Sequence, residues 1–170
     1  MKTTTILMIA RRSFAIATFS LFSAGLIIAQ QPVTQPATQQ SSQQLYTISG
    51  NAAGSQMVPS VQGNGAGTIT GTYDPTSREL KYTTTWDKLS AAPNSAGFYN
   101  GISGSAGKAV GDPWTLGTNL TPTGTYTGTM KLDEQQSKDL LAGNWYYTYG
   151  TTTNSNGEIR GQISAKPGKQ

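Results

Sequence analysis

The chain contains neither cysteine nor histidine. Without cysteine there is no disulfide staple, no thiolate metal site and no lipidated cysteine at the end of a leader. Without either residue, metal catalysis would have to run on carboxylates, and nucleophilic catalysis on a Ser or Thr activated by Lys or a carboxylate. Charge is scarce as well, at 12% of residues, and unevenly placed. Lys2, Arg11 and Arg12 lie within the first twelve residues, whereas all eight acidic residues follow residue 70. Beyond residue 29, nine Lys and Arg face eight Asp and Glu, a net of +1. The pI near 9.4 therefore belongs to the leader, and a nucleic-acid partner is not expected.

The few carboxylates do not assemble into an acid pair. Asp74 precedes a proline in a turn, Asp133 and Glu134 open a helix, and Glu79, Asp87 and Asp139 occupy solvated positions. Glu158 with Asp112 is the least implausible pair for glycoside chemistry, but nothing in their spacing brings them together. No segment collects the alternating oxygen ligands of a calcium loop. The glycines of "GNGAG", Gly63 to Gly67, lead into a strand rather than a helix and read as a flexible loop, not a phosphate cradle. No catalytic residue, metal ligand or cofactor is expected.

What is present begins with a leader. Arg11 and Arg12 are followed by an uncharged, mostly apolar run from Ser13 to Ala29 that ends on a small residue. This is the pattern of an export signal over residues 1–29. A retained anchor is the alternative, but the run is shorter than the roughly 20 apolar residues that span a bilayer and is diluted by Ser and Thr. Membrane contact is thus expected only through the cleaved signal. Arg11-Arg12-Ser13-Phe14 approaches a twin-arginine signal; Ala15 lacks the bulk expected after the Phe, which favours an ordinary charged leader. Residues 30–44, "QQPVTQPATQQSSQQ", carry no charge and little apolar surface, so they are expected to form a disordered Gln/Pro/Ser/Thr linker. Residues 45–170 remain for one folded domain.

In that domain the dominant period is two. Ile69, Gly71 and Tyr73 alternate with Thr68, Thr70 and Thr72; after a turn at Asp74-Pro75, Leu80, Tyr82, Thr84 and Trp86 alternate with Lys81, Thr83, Thr85 and Asp87. "TGTYTGTMKL" repeats the pattern with Tyr126, Gly128 and Met130 on one face. "DEQQSKDLLAGN" breaks it, with Asp133 and Gln136 at capping-box spacing and Gly143 at the end of a helix of about two to three turns. Strands resume at "NWYYTYG" and "GEIRGQIS", and the Gly-, Asn- and Ser-rich "AAPNSAG" and "TTTNSNG" read as loops. The expected fold is all-β, an antiparallel sandwich or barrel with one short helix.

Two sets of residues stand out. In the last strand Ile159, Gly161 and Ile163 share the apolar face, while Glu158 and Arg160 are i and i+2 neighbours on the polar one. Each is free to pair with the other or with a residue across the ladder. With Gly157 and Gly161 admitting close backbone approach, they are expected to form a structural clamp, a ligand contact being the alternative. Among the aromatics, alternation buries most of Trp145, Tyr147 and Tyr149, leaving Tyr146 and loop residue Trp114 as a possible ligand surface for a sugar or partner protein.

The Asp-Pro hairpin followed by "YTTTWDKLS", the "LLAGNWYY" passage and "GEIRGQI", in that order between Leu45 and Ser164, closely resemble the chordin-type (CHRD) domain of exported bacterial proteins and animal chordins. The resemblance implies an immunoglobulin-like or Greek-key β-domain without an established activity in most bacterial members. Many members carry a His-x-His and a further His, a pattern like that of copper/zinc superoxide dismutases. The matching positions here are Phe98, Asn100 and Gly150, none a good ligand, and the resemblance suggests a pocket filled by Phe98, Tyr99 and Tyr149 instead. The function expected is a non-enzymatic β-domain, periplasmic, cell-surface or secreted, that binds an unidentified protein, matrix component or glycan. A metal-dependent redox enzyme and a carbohydrate-binding module are the alternatives.

If residues 1–29 are a cleaved signal, intact-mass measurement of the protein isolated from its producing cells will place the first residue near Gln30. A mass retaining the leader would establish the anchor instead.

Overall fold

The computed structural model describes residues 44–169; the leader and all of the linker except Gln44 lie outside them. Nine strands form one antiparallel sheet: β1 (Tyr46–Ala53), β2 (Ala66–Asp74), β3 (Glu79–Asp87), β4 (Pro93–Asn100), β5 (Lys108–Val110), β6 (Gly124–Lys131), β7 (Trp145–Thr151), β8 (Ile159–Gln162) and β9 (Ser164–Pro167). Among these residues one α-helix, α1 (Glu134–Leu141), links β6 to β7, and a single 3-10 turn, Gly54–Gln56, follows β1. In space the order is β5-β4-β7-β8-β1-β2-β3-β6, and β9 pairs with the first half of β1. The fold is thus all-β, a single sheet curled into a half-barrel around its core.

The hairpin of β2 and β3 follows from its turn chemistry. The Asp74 carboxylate accepts hydrogen bonds from the Thr76 backbone N–H at 2.8 Å and the Ser77 hydroxyl at 2.7 Å. Register then runs without a slip from Asp74 opposite Glu79 to Ala66 opposite Asp87. Ile69, Tyr73, Leu80, Tyr82, Thr84 and Trp86 point into the core, and Thr68, Thr70, Thr72, Thr83 and Thr85 point outward. Because β1 and β6 pair in register on either side, the outward residues line up in rows across four strands. Asn51, Thr68, Thr85 and Thr125 form one row, and Ser49, Thr70, Thr83 and Thr127 the next. Thr47, Thr72, Lys81 and Thr129 form the third.

Helix α1 has the expected capping box: Asp133 Oδ1 accepts from the Gln136 N–H at 2.8 Å and Gln136 Oε1 from the Asp133 N–H at 3.0 Å. Leu140 is fully buried, and the Tyr73 hydroxyl donates to Ser137 Oγ at 2.7 Å, which ties the helix to the sheet.

The stretch Ala91 to Gly97, expected as a loop, instead enters β4 at Pro93. Proline is tolerated as the first residue of a strand, and the register with β7 shifts between Pro93 and Ser95 before regular pairing begins. Strand β7 departs from expectation in another way, being buried at every residue from Trp145 to Thr151. Its core side carries Trp145, Tyr147 and Tyr149, and its other side is covered by loops rather than water.

Trp114 fills the open side of the curl. Its backbone N–H donates to the Ala96 carbonyl at 2.9 Å, and its ring stacks on Tyr126 (5.2 Å, 11°) while meeting Phe98 edge-on at 4.9 Å. It thereby joins β4 to β6, which no strand pairing connects. Aromatic pairs of this kind contribute about 0.5–1.5 kcal/mol each beyond area burial. That surplus offsets Trp145 Nε1 and the Tyr147 hydroxyl, which are buried without a hydrogen-bond partner at a cost of about 1–3 kcal/mol each.

Gly161 packs directly against this cluster: an added Cβ would sit 2.5 Å from Tyr147 Cε1 and 2.9 Å from the Asn51 carbonyl oxygen. Gly161→Ala is expected to lower stability by about 1–3 kcal/mol in denaturant titration. Gly63→Ala, whose Cβ would find its nearest neighbour at 4.0 Å, is expected to change little. Equal midpoints for the two variants would contradict this packing.

Candidate functional site: the polar face of the closing strand

Strand β8 packs Ile159 into the core and so turns Glu158, Arg160 and Gln162 to the opposite side. On an exposed sheet this side would meet solvent. Here Glu158 is 4% and Arg160 2% exposed.

The Glu158 carboxylate is wrapped in donors. Oε1 accepts from the Ser90 N–H at 2.7 Å, and Oε2 from the Ser90 hydroxyl at 2.5 Å and the Thr151 hydroxyl at 2.7 Å. The Asn154 amide adds a longer contact to Oε2 at 3.3 Å. One side chain therefore holds the segment after β3 and the loop after β7. Burial by itself pushes the carboxyl upward, but the bonds from Ser90, Thr151 and Asn154 outweigh it and hold Glu158 below its ordinary value of 4.5.

Arg160 holds a third loop. Nη1 donates to the Ser105 carbonyl and Nη2 to the Ile102 carbonyl, both at 2.7 Å, and Nη2 also reaches Gln162 Oε1 at 3.1 Å. The guanidinium lies 3.6 Å from the centroid of the Tyr146 ring. Tyr146 in turn stacks on Tyr99 (5.3 Å, 13°) and accepts the Gly107 N–H at 2.9 Å. Gln162 continues the pattern, its amide donating to the carbonyls of Gly101 at 3.0 Å and Gly143 at 2.9 Å.

Glu158 and Arg160 do not pair with each other. Ion pairs among the described residues join Lys81 to Glu79, Lys88 to Asp87 and Lys138 to Glu134. Residues i and i+2 on a strand stand about 6.7 Å apart, and each head group here is turned to a different loop. Gly157 and Gly161 flank the pair. Gly157 has φ +120°, a conformation L side chains rarely adopt, and a Cβ there would also press on the Met57 side chain.

Tyr146 and Trp114 do not make one platform. Tyr146 is 5% exposed and sandwiched beneath Arg160 on the outer side of the sheet, whereas Trp114 belongs to the core side. The alternation of β7 was legible, but not that loops cover its second face. The positions matching the family histidines separate too. Phe98 is in the core against Tyr82 and Trp145, the Asn100 amide donates to Asp139 Oδ2 at 2.7 Å, and Gly150 lies against Ser95. Tyr149 shares the core with Phe98, but Tyr99 stands on the other face with Tyr146, so these three do not fill one pocket. Among the described residues, no group of three or more acidic side chains converges in a way that could hold a metal ion. A cleft of about 540 Å³ lies beside the clamp between the Met57–Val61 and Thr153–Gly157 segments, with Tyr99, Tyr146 and Arg160 in its lining.

A curled antiparallel sheet in which β8 pins distant loops with a buried carboxylate and guanidinium defines this chain as an all-β domain. The CHRD domain matches residues 48–163, and the chain belongs to that family. No curated protein and no solved structure matches it.

Removing the Arg160 head group leaves two loop carbonyls and a tyrosine face uncompensated. Arg160→Ala is expected to lose about 3 kcal/mol or more in denaturant titration, against less than about 0.5 for the exposed control Lys166→Ala. A carboxyl lowered on folding contributes stability that is present above pH 4.5 and lost as pH falls through the folded value. Glu158→Gln is therefore expected to be less stable at neutral pH and to show a shallower loss of stability on acidification. Parallel acid limbs for Glu158→Gln and native protein would count against a stabilising role for the Glu158 charge.

Proposed function

We propose that this chain is an exported, non-enzymatic CHRD β-domain that binds a protein, matrix or glycan partner at the cell surface or in the periplasm. The observation that carries the reading is how the domain divides its polar groups. The buried ionisable residues Glu158 and Arg160 are occupied in holding loops, while the outer face of β1, β2, β3 and β6 presents exposed threonine hydroxyls in its central rows, flanked by Asp74, Glu79, Lys81, Asp87 and Lys131. Acid-base and nucleophilic chemistry need a group free to exchange a proton or attack a substrate. Recognition needs only a rigid surface, and an in-register sheet backed by an aromatic core supplies one. The leader supports an extracytoplasmic setting, where a domain without disulfides must rely on its core and ladders.

The test is binding of the labelled, purified protein to intact cells and envelope fractions of its source. Saturable retention, with no stoichiometric transition metal found by elemental analysis, is the expected result. Absence of saturable retention, or a bound metal at one equivalent, would turn the reading towards an enzyme.

A further inference from the structure

Arg160 carries a charge that no carboxylate balances. It is 2% exposed, yet it joins no ion pair among the described residues, and its partners Ser105, Ile102 and Gln162 offer only neutral oxygens. Those bonds use one Nη1 hydrogen and both Nη2 hydrogens, so the Nε–H and the second Nη1–H are left over. Glu158, two residues away, turns both of its oxygens to Ser90, Thr151 and Asn154. Burial accordingly holds the Arg160 pKa below its ordinary value, and no carboxylate offsets the shift.

The hydroxyl beside it is in the same condition. Thr148 stands opposite Arg160 in the β7–β8 ladder and is 7% exposed, and its Oγ1 has no hydrogen-bond partner among the described residues. The Tyr146 hydroxyl accepts the Gly107 N–H but donates to no group among them. The polar side-chain atoms sealed from solvent without a partner are Trp145 Nε1 and the Tyr147 hydroxyl, on the core side. Thr148 and Arg160 are instead reached from the cleft of about 540 Å³ whose wall they help to form.

Arg160 is the one charged side chain in that wall. Met57, Val58, Pro59 and Val61 give the cleft an apolar lip, and Val58 remains 43% exposed there. Donors without acceptors call for an anion, which would supply at a buried site the counter-charge that the fold omits. A single guanidinium balances a single charge, so a carboxylate suits it better than a phosphate dianion. The lip then covers an aliphatic or aromatic group that water would otherwise meet. At roughly 30 Å³ per water-sized group the cleft has room for about 18 non-hydrogen atoms, the scale of a small-molecule site.

We propose that this cleft binds a monocarboxylate with an apolar body, its carboxylate on Arg160 and Thr148 and its body along Met57, Val58, Pro59 and Val61. The site lies over β7 and β8 and does not depend on the surface reading above, so neither test decides the other.

The experiment follows backbone amide chemical shifts of the purified protein, those of Gly107 and Gly157 among them, during titration. The probes are phenylpropionate, phenylpropionamide, sodium sulfate and acetyl-Ala-Ala-Phe with a free carboxyl terminus. Thr148→Val, Ser155→Asp and Ser155→Asn are compared with the native chain, and an unfolding midpoint is taken for each. Expected is saturable binding of phenylpropionate or the peptide, about tenfold or more weaker for the amide and for Thr148→Val. Thr148→Val removes a hydroxyl that holds nothing in the fold, so its midpoint is expected to change little. Ser155 is exposed on the rim, and its replacement by Asp is expected to weaken binding about twofold or more, by Asn less. Tighter binding of the peptide assigns the carboxylate to a chain terminus and tighter binding of phenylpropionate to a free acid; both uphold the site. Amide binding as tight as the acid overturns the role of the charge, and sulfate binding as tight overturns that of the lip. Affinity unchanged in both Thr148→Val and Ser155→Asp overturns the location, and no saturable binding of any probe overturns the proposal.

Discussion

The structure depends on two charges that have left water. Glu158 and Arg160 sit two residues apart on one face of β8, each almost fully buried, and a charge in that position is tolerated only if its hydrogen-bonding capacity is met. Their partners come from Ser90, Ile102, Ser105, Thr151 and Asn154, residues drawn from three separate connections of the chain. Folding the strand and folding the loops are therefore one event: the charges cannot be buried until the loops arrive, and the loops have little apolar surface to hold them without the charges. The cation on the Tyr146 ring extends the same constraint to Tyr99 and to the Gly107 backbone.

On the other side of the sheet the constraint is geometric. A half-barrel leaves its two end strands, β5 and β6, unpaired with each other, and its concave face would be open to water along that seam. Trp114, carried on the loop between those strands, lies against Tyr82, Phe98 and Tyr126 and closes it. This explains why so many rings converge along the seam. In the absence of disulfides, large flat side chains that stack and meet edge to face give the core most of its specificity. The two polar atoms left buried and unpaired, on Trp145 and Tyr147, are the cost of that solution.

The two faces of the domain therefore do different work. The face over β7 and β8 is consumed by its own loops; the face over β2 and β3 is presented to the surroundings, stiffened by the core behind it.

Much of this architecture was legible in the sequence because it rests on local rules. Alternation assigned the inward faces of β2, β3 and β6; Asp74-Pro75 marked the hairpin; Asp133 and Gln136 marked the helix start. The glycines around Glu158 and Arg160 marked a strand in close quarters. What period two cannot convey is whether an outward face meets water or another part of the chain. Tyr146 and Thr125 both alternate outward, yet Tyr146 is buried beneath Arg160 while Thr125 is exposed, because the loops that cover the first are far from it in sequence. Strand β4, entered at a proline, and the seam residue Trp114 were hidden for the same reason. Sequence by itself determined which side each residue takes within its own strand, since that follows from backbone geometry at neighbouring positions. Only the tertiary structure decided what lies opposite, since that depends on the curl of the sheet and on loops brought together from distant parts of the chain.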